Sequence, residues 1–121
     1  AAMAAASSLA ASLKSKAFVV VSKSGASVNR ATRMRPGIPI IAITPNESTN
    51  RALALQKHVY PVTLDPTKFS TQGLYSEIWT IAQSYGFVSD DKDTVVLAMS
   101  EPFGLPANTI KVITKETLEK E

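Results

Sequence analysis

Five short runs rich in apolar and β-branched residues recur along the chain, and between them lie stretches with helical spacing or turn composition. That alternation restricts the fold more than any other feature. The runs are Ala17 to Val21, Pro39 to Thr44, His58 to Val62, Thr94 to Met99 and Thr109 to Thr114. Most are continuously apolar, as strands buried on both faces of a parallel sheet must be. Helices are expected over Ala1 to Leu13, from Ala26 to Arg35, and after Pro45-Asn46-Glu47, where Ala52 and Leu55 fall three apart on one face. A longer crossover helix is expected where Leu74, Ile78, Ile81 and Tyr85 form one stripe, closed by Gly86. Strands that alternate with helices call for crossover connections and helices on both faces of the sheet. The expected architecture is therefore α/β, a three-layer sandwich around a mostly parallel five-stranded sheet whose last strand is antiparallel.

With 121 residues, 45% of them hydrophobic and 19% charged, the chain matches one folded domain over residues 1–121. There is no cysteine, which rules out disulfides and thiolate metal sites and fits a reducing, cytoplasmic setting. The apolar runs fall far short of the roughly 20 residues that cross a bilayer, so no membrane partner is expected. Ala1 to Leu13 carries no charge ahead of Lys14, unlike the basic start of a secretory signal. It also opens without a cap, as a piece that begins inside an element would. A net charge of +3, with aromatic residues not interleaved among the basic ones, gives no reason to expect nucleic acid.

Open parallel sheets bind ligands beyond the carboxyl ends of their strands. Two connections deserve scrutiny on that ground: Ser22 to Ser27 and Ser100 to Asn108. In the first, Ser22-Lys23-Ser24-Gly25-Ala26-Ser27 leads from a buried strand into a helix, where backbone N–H groups and the positive helix end favour an anion. Gly25 permits close backbone approach, Ser24 and Ser27 offer hydroxyls, and Lys23 adds a charge. The same serines would serve equally as helix caps, and both readings stand. Arg30, Arg33 and Arg35 on the following helix could reach a phosphate or face water. His58, the only histidine, lacks partners for a zinc site or a catalytic triad and is read as structural. Asp90, Asp91 and Asp93 lack the glycine and terminal glutamate of a calcium loop and read as a solvated turn. Trp79, one residue off its helical stripe, is expected at a core edge or interface.

Taken together in order, Ser22-Lys23-Ser24-Gly25-Ala26-Ser27, Arg33-Met34-Arg35-Pro36, Pro39 to Glu47, His58-Val59-Tyr60-Pro61-Val62 and Asn108 to Ile113 resemble the carboxy-terminal domain of pyruvate kinase. The resemblance covers nearly the whole chain. It implies a regulatory, effector-binding and subunit-contact domain, in an enzyme that converts phosphoenolpyruvate and ADP to pyruvate and ATP. The chemistry, with its magnesium and potassium ions, belongs in that family to a barrel domain absent from these residues, so this chain is expected to be inactive alone and to bind no cofactor. By the same resemblance Ser22, Lys23, Ser24, Gly25 and Ser27 match the loop that holds an effector phosphate, such as one of fructose 1,6-bisphosphate. Expected partners are that effector, the remaining domains of the enzyme and further copies of the chain. Two departures bear on the effector. Glu101 stands in the Ser100 to Pro106 loop, where the sugar-activated members are longer and basic, and Leu74 to Tyr85 contains no arginine or lysine. A freestanding phosphate-binding module with no kinase partner is the alternative reading.

Overall fold

In the computed structural model, residues 2–22, 26–33, 37–89, 92–99 and 109–119 are described. They form helices α1 (Ala2–Leu13), α2 (Ala26–Arg33), α3 (Glu47–Leu53), α4 (Thr71–Ser84) and α5 (Lys115–Glu119), and strands β1 (Ala17–Val21), β2 (Ile40–Thr44), β3 (Val59–Thr63), β4 (Val95–Met99) and β5 (Thr109–Ile113). The sheet order is β3-β2-β1-β4-β5. Its first four strands run parallel and β5 returns antiparallel to β4, as expected from the sequence.

β1 has every residue buried, as its unbroken apolar run requires, and so does β2. Alternate residues serve two cores. Phe18, Val20, Ile40, Ala42, Val96 and Ala98 face Ala6 and Ala10 of α1, Val28 and Ala31 of α2 and Leu53 of α3. Val19, Val21, Ile41, Ile43, Val95 and Leu97 face Leu74, Ile78, Trp79 and Ala82 of α4. The small side chains of Ala6 and Ala10, four apart and fully buried, let α1 settle close to the sheet. No helix among the described residues is long and apolar enough to cross a membrane.

Helix ends follow recognisable chemistry. α1 closes with Lys14 at φ 52°, its N–H donating to the Ala11 carbonyl (3.2 Å) while that of Ser15 reaches back to Ala10 (3.0 Å). Gly86, at φ 79°, ends α4 in the same pattern. The Ser70 hydroxyl caps α4 by accepting from the Gly73 N–H at 3.0 Å.

Several expectations need correcting. The buried side of α3 is carried by Asn50 and Leu53; Ala52 is exposed and Leu55, past the helix end, is 89% exposed. The three-residue spacing was real, but the helix stops after seven residues, so Leu55 falls in the turn that follows. Tyr85 is 41% exposed and reaches sideways to Tyr60 and Phe87, with ring centroids 5.3 and 5.4 Å away. Trp79, set beside the stripe, is instead buried in the core. The expected second strand begins one residue later than Pro39, whose carbonyl still accepts from Phe18 N–H at 2.9 Å. The 3₁₀ turn Pro66–Lys68 and α5 were not expected at all. Residues 34–36, 90–91 and 100–108 lie outside the described residues, and with them Arg35, Asp90, Asp91 and the Ser100 to Asn108 connection.

A methyl group on Gly73 would stand 2.9 Å from Ser70 Oγ and displace the cap. Alanine should raise helix propensity by about 1 kcal/mol, which losing a cap of similar worth offsets. Gly73→Ala is therefore expected to leave stability nearly unchanged in the wild type. In a Ser70→Ala background it should stabilise by about 1 kcal/mol, as read by urea denaturation of the four-member cycle.

Candidate functional site

The strand order turns around β1. β1 leads through α2 to β2 on one side, whereas its other neighbour, β4, is reached only after β3 and α4. The carboxyl ends of β1 and β4 thus flank the topological switch point, where parallel sheets leave a crevice between diverging connections. The Ser22 to Ser27 turn leaves β1 at that point.

Ser22 closes the ladder. It is buried, and its N–H donates to the Ile43 carbonyl at 2.9 Å, so that amide belongs to the sheet. Lys23, Ser24 and Gly25 lie outside the described residues, and for Ser27 only the backbone is described, in the first turn of α2. That first turn contains no acidic residue, so nothing in it opposes an anion at the positive helix end. The first turn of α3 offers no comparable opening. There Asn46 Oδ1 accepts from the N–H groups of Ser48 (3.0 Å) and Thr49 (3.3 Å), and Thr44 Oγ1 accepts from that of Asn46 (3.2 Å).

A polar row crosses the carboxyl ends of β1, β2 and β3. Val21 is paired in register with Ile43, which sets Ser22 beside Thr44, and Thr44 is paired with Thr63. Asn50 of α3 completes the row by donating from Nδ2 to Thr63 Oγ1 at 2.8 Å. Three of the buried polar residues among those described, Ser22, Thr44 and Asn50, therefore meet at the carboxyl ends of β1 and β2. Asn50 Oδ1 is buried without a hydrogen-bond partner. Asparagine on the inward side of a helix was the signal for this row, and sequence reading passed over it because apolar spacing drew attention to Ala52 and Leu55.

Among the described residues two acidic groups follow the carboxyl ends of β2 and β3, Glu47 in the first turn of α3 and Asp65 beyond β3. The Thr67 hydroxyl (2.6 Å) and then the Thr67 N–H (2.9 Å) donate to Asp65 Oδ1 and hold its carboxyl below the usual value. Its lone pairs serve the 3₁₀ turn.

The remaining candidates lie elsewhere. Arg30 and Arg33 occupy the last turn of α2, the end away from Ser22 to Ser27, where cations complement the helix dipole. His58 precedes β3 at the amino edge of the sheet, with φ 66° and its carbonyl accepting from Ile40 N–H at 2.9 Å. Asp93 Oδ2 accepts from Ser89 N–H at 2.9 Å, which makes it a turn residue. Among the described residues no group of three or more histidines, cysteines, aspartates and glutamates is placed to hold a metal ion.

Asn50 sits where a charge cannot be matched. Asn50→Asp should destabilise by about 2–3 kcal/mol at pH 7, because the Thr63 hydroxyl can serve one carboxylate oxygen while the other, like Asn50 Oδ1, stays buried without a donor. Asn50→Leu, which removes the orphan acceptor, should stay within about 1 kcal/mol of wild type in the same denaturation measurement.

The family profile described as pyruvate kinase, alpha/beta domain matches residues 1–113. The pyruvate kinase of Clostridium acetobutylicum is 34% identical over 101 residues, which is 83% of this chain and 21% of that protein. The Methylorubrum extorquens pyruvate kinase is 28% identical across 97% of this chain and 25% of its own length. Pyruvate kinase 2 of Saccharomyces cerevisiae is 30% identical over 105 residues, 82% of this chain and 21% of the yeast protein. The chain thus spans between 21% and 25% of the length of these relatives. With the α/β profile covering it almost from end to end, the chain belongs to the pyruvate kinase family and corresponds to its carboxy-terminal α/β domain.

Proposed function

We propose that this is the regulatory and subunit-contact domain of a pyruvate kinase, and that it binds a phosphorylated effector at the Ser22 to Ser27 turn. One observation carries the reading: the turn leaves β1 at the switch point of the sheet and enters α2, whose first turn has no carboxylate. Backbone N–H groups there, the Ser24 and Ser27 hydroxyls and the Lys23 ammonium are the donors proposed for the phosphate. Ser22 takes a supporting part, since its own amide is spent on Ile43. The whole enzyme would transfer phosphoryl from phosphoenolpyruvate to ADP, the last step of glycolysis, in the cytoplasm. The barrel that binds magnesium and potassium would carry out that step.

Self-association is part of the same proposal. Among the described residues β5 is an edge strand, paired on one side to β4 alone, and α2 presents exposed Arg30 and Arg33. Either surface could supply a two-fold contact. Sedimentation of the purified chain should show a dimer emerging as concentration rises; a monomer at every concentration up to the millimolar range would count against it.

The effector reading is tested by calorimetry with fructose 1,6-bisphosphate and inorganic phosphate. Ser24→Ala should weaken binding roughly tenfold, the worth of one hydrogen bond to a charged group. Ser24→Asp should weaken it further by placing a carboxylate where the anion sits. If the serine only caps α2, Ser24→Asp would leave stability intact and there would be no binding for it to lose. The 121-residue chain alone should form no pyruvate from phosphoenolpyruvate and ADP above a heat-killed control.

A further inference from the structure

At the end of the sheet opposite the Ser22 to Ser27 turn, a cleft of about 310 Å³ opens beside the amino ends of β2 and β3. That volume is at the lower end of the range of small-molecule sites, about 300–1,000 Å³. Ile38, Pro39 and Ile40 supply apolar lining, continuous with the core through Ile40 and Ile38. Lys57 and His58 line it too, both exposed at its rim. Gly37 and Thr32 complete the described lining, and none of these residues is acidic.

The backbone at the rim is unusual. His58 is held at φ 66°, a region that L side chains seldom adopt, and its carbonyl is fixed by the Ile40 N–H. Non-glycine residues kept in this region occur at helix ends, as Lys14 does, and at ligand clamps. Here the chain's only histidine follows Lys57 in sequence, and both line an apolar cleft. The negative end of α2 lies near, at Thr32, but Arg30 and Arg33 in its last turn offset it. The Thr32 hydroxyl donates to the Asn29 carbonyl at 2.8 Å and so provides no donor to the cleft.

We propose that this cleft binds a small carboxylate carried on a branched or cyclic hydrocarbon body. Ile38, Pro39 and Ile40 cover the body, while the Lys57 ammonium and a His58 ring N–H take the carboxylate oxygens. Phosphate does not suit the site. Its oxygens need donors on several sides, and the three apolar residues offer no side-chain donor at all. The proposal is independent of the effector turn, which lies at the other end of the strands.

The test uses the full chain and two probes of the same shape, 4-methylpentanoate and its primary amide. Backbone amide shifts of Gly37, Ile38 and Ile40 and the His58 ring signals are followed by NMR. The carboxylate is expected to bind at least about tenfold more tightly than the amide, since a charged acceptor makes the stronger hydrogen bond. His58→Gly suits a left-handed position and keeps the fold. Combined with Lys57→Met, it should remove at least about tenfold of the carboxylate affinity and leave amide binding unchanged. Inorganic phosphate should move none of these signals, and Ser24→Asp should not alter them. The proposal is overturned if the carboxylate moves no signal at millimolar concentration, if acid and amide bind alike, or if the double variant binds as the wild type does.

Discussion

The structure depends on the burial of β1. It pairs with β2 on one side and β4 on the other, and all five of its residues are buried. A strand in that position must satisfy its backbone in both ladders and its side chains in both cores. Phe18 and Val20 then anchor the α1, α2 and α3 layer, while Val19 and Val21 anchor α4. The chain can leave such a strand only at its ends. Ser22, still hydrogen-bonded to Ile43, continues the strand's geometry past the end of β1.

The two ends of the sheet differ in chemistry. At the carboxyl ends, Ser22, Thr44 and Thr63 stand level across three strands and Asn50 bonds to Thr63, so this layer is polar where β1 and β2 below it are apolar. Polar groups in such a position need partners. Asn50 finds one for its amide nitrogen in Thr63 Oγ1, while its Oδ1 is buried without one. At the amino ends, β2 follows Gly37 and Pro39 and β3 follows a left-handed histidine, and the cleft there is apolar with Lys57 and His58 on its rim. The parallel arrangement separates these environments by the length of the strands.

How much of this could be read in the sequence follows from which interactions are local. The central strands were legible because a run such as Ala17 to Val21 has few other places to go. Gly86 was legible as a helix stop because its positive φ is a backbone property that glycine alone serves without strain. The short α3 was misjudged at Ala52 and Leu55 because its end depends on where β3 must begin, a tertiary matter. α5 went unseen because its five residues gain their place from Leu118 packing on the α4 core and from Gln72 donating to the Leu118 carbonyl at 2.9 Å. The Ser-Lys-Ser-Gly run between strand and helix is a local pattern, and it is one of the segments whose combined order carried the resemblance to the family. The polar row was not legible, since Thr44, Asn50 and Thr63 meet only through strand register. The amino-end cleft was hidden likewise, because no local pattern joins Ile38 to His58.

The account holds that the end of β1 delivers the following amides to an anion. It is tested most directly by titrating the ¹⁵N-labelled chain with inorganic phosphate and with fructose 1,6-bisphosphate while following the backbone amides of Ser24 to Ser27. Those resonances should shift saturably with at least one of the two ligands, and the Ser22 amide, committed to Ile43, should move least of the run. Amides at Ser24 to Ser27 that stay fixed at millimolar concentrations of both would contradict the account and leave the serines as caps of α2.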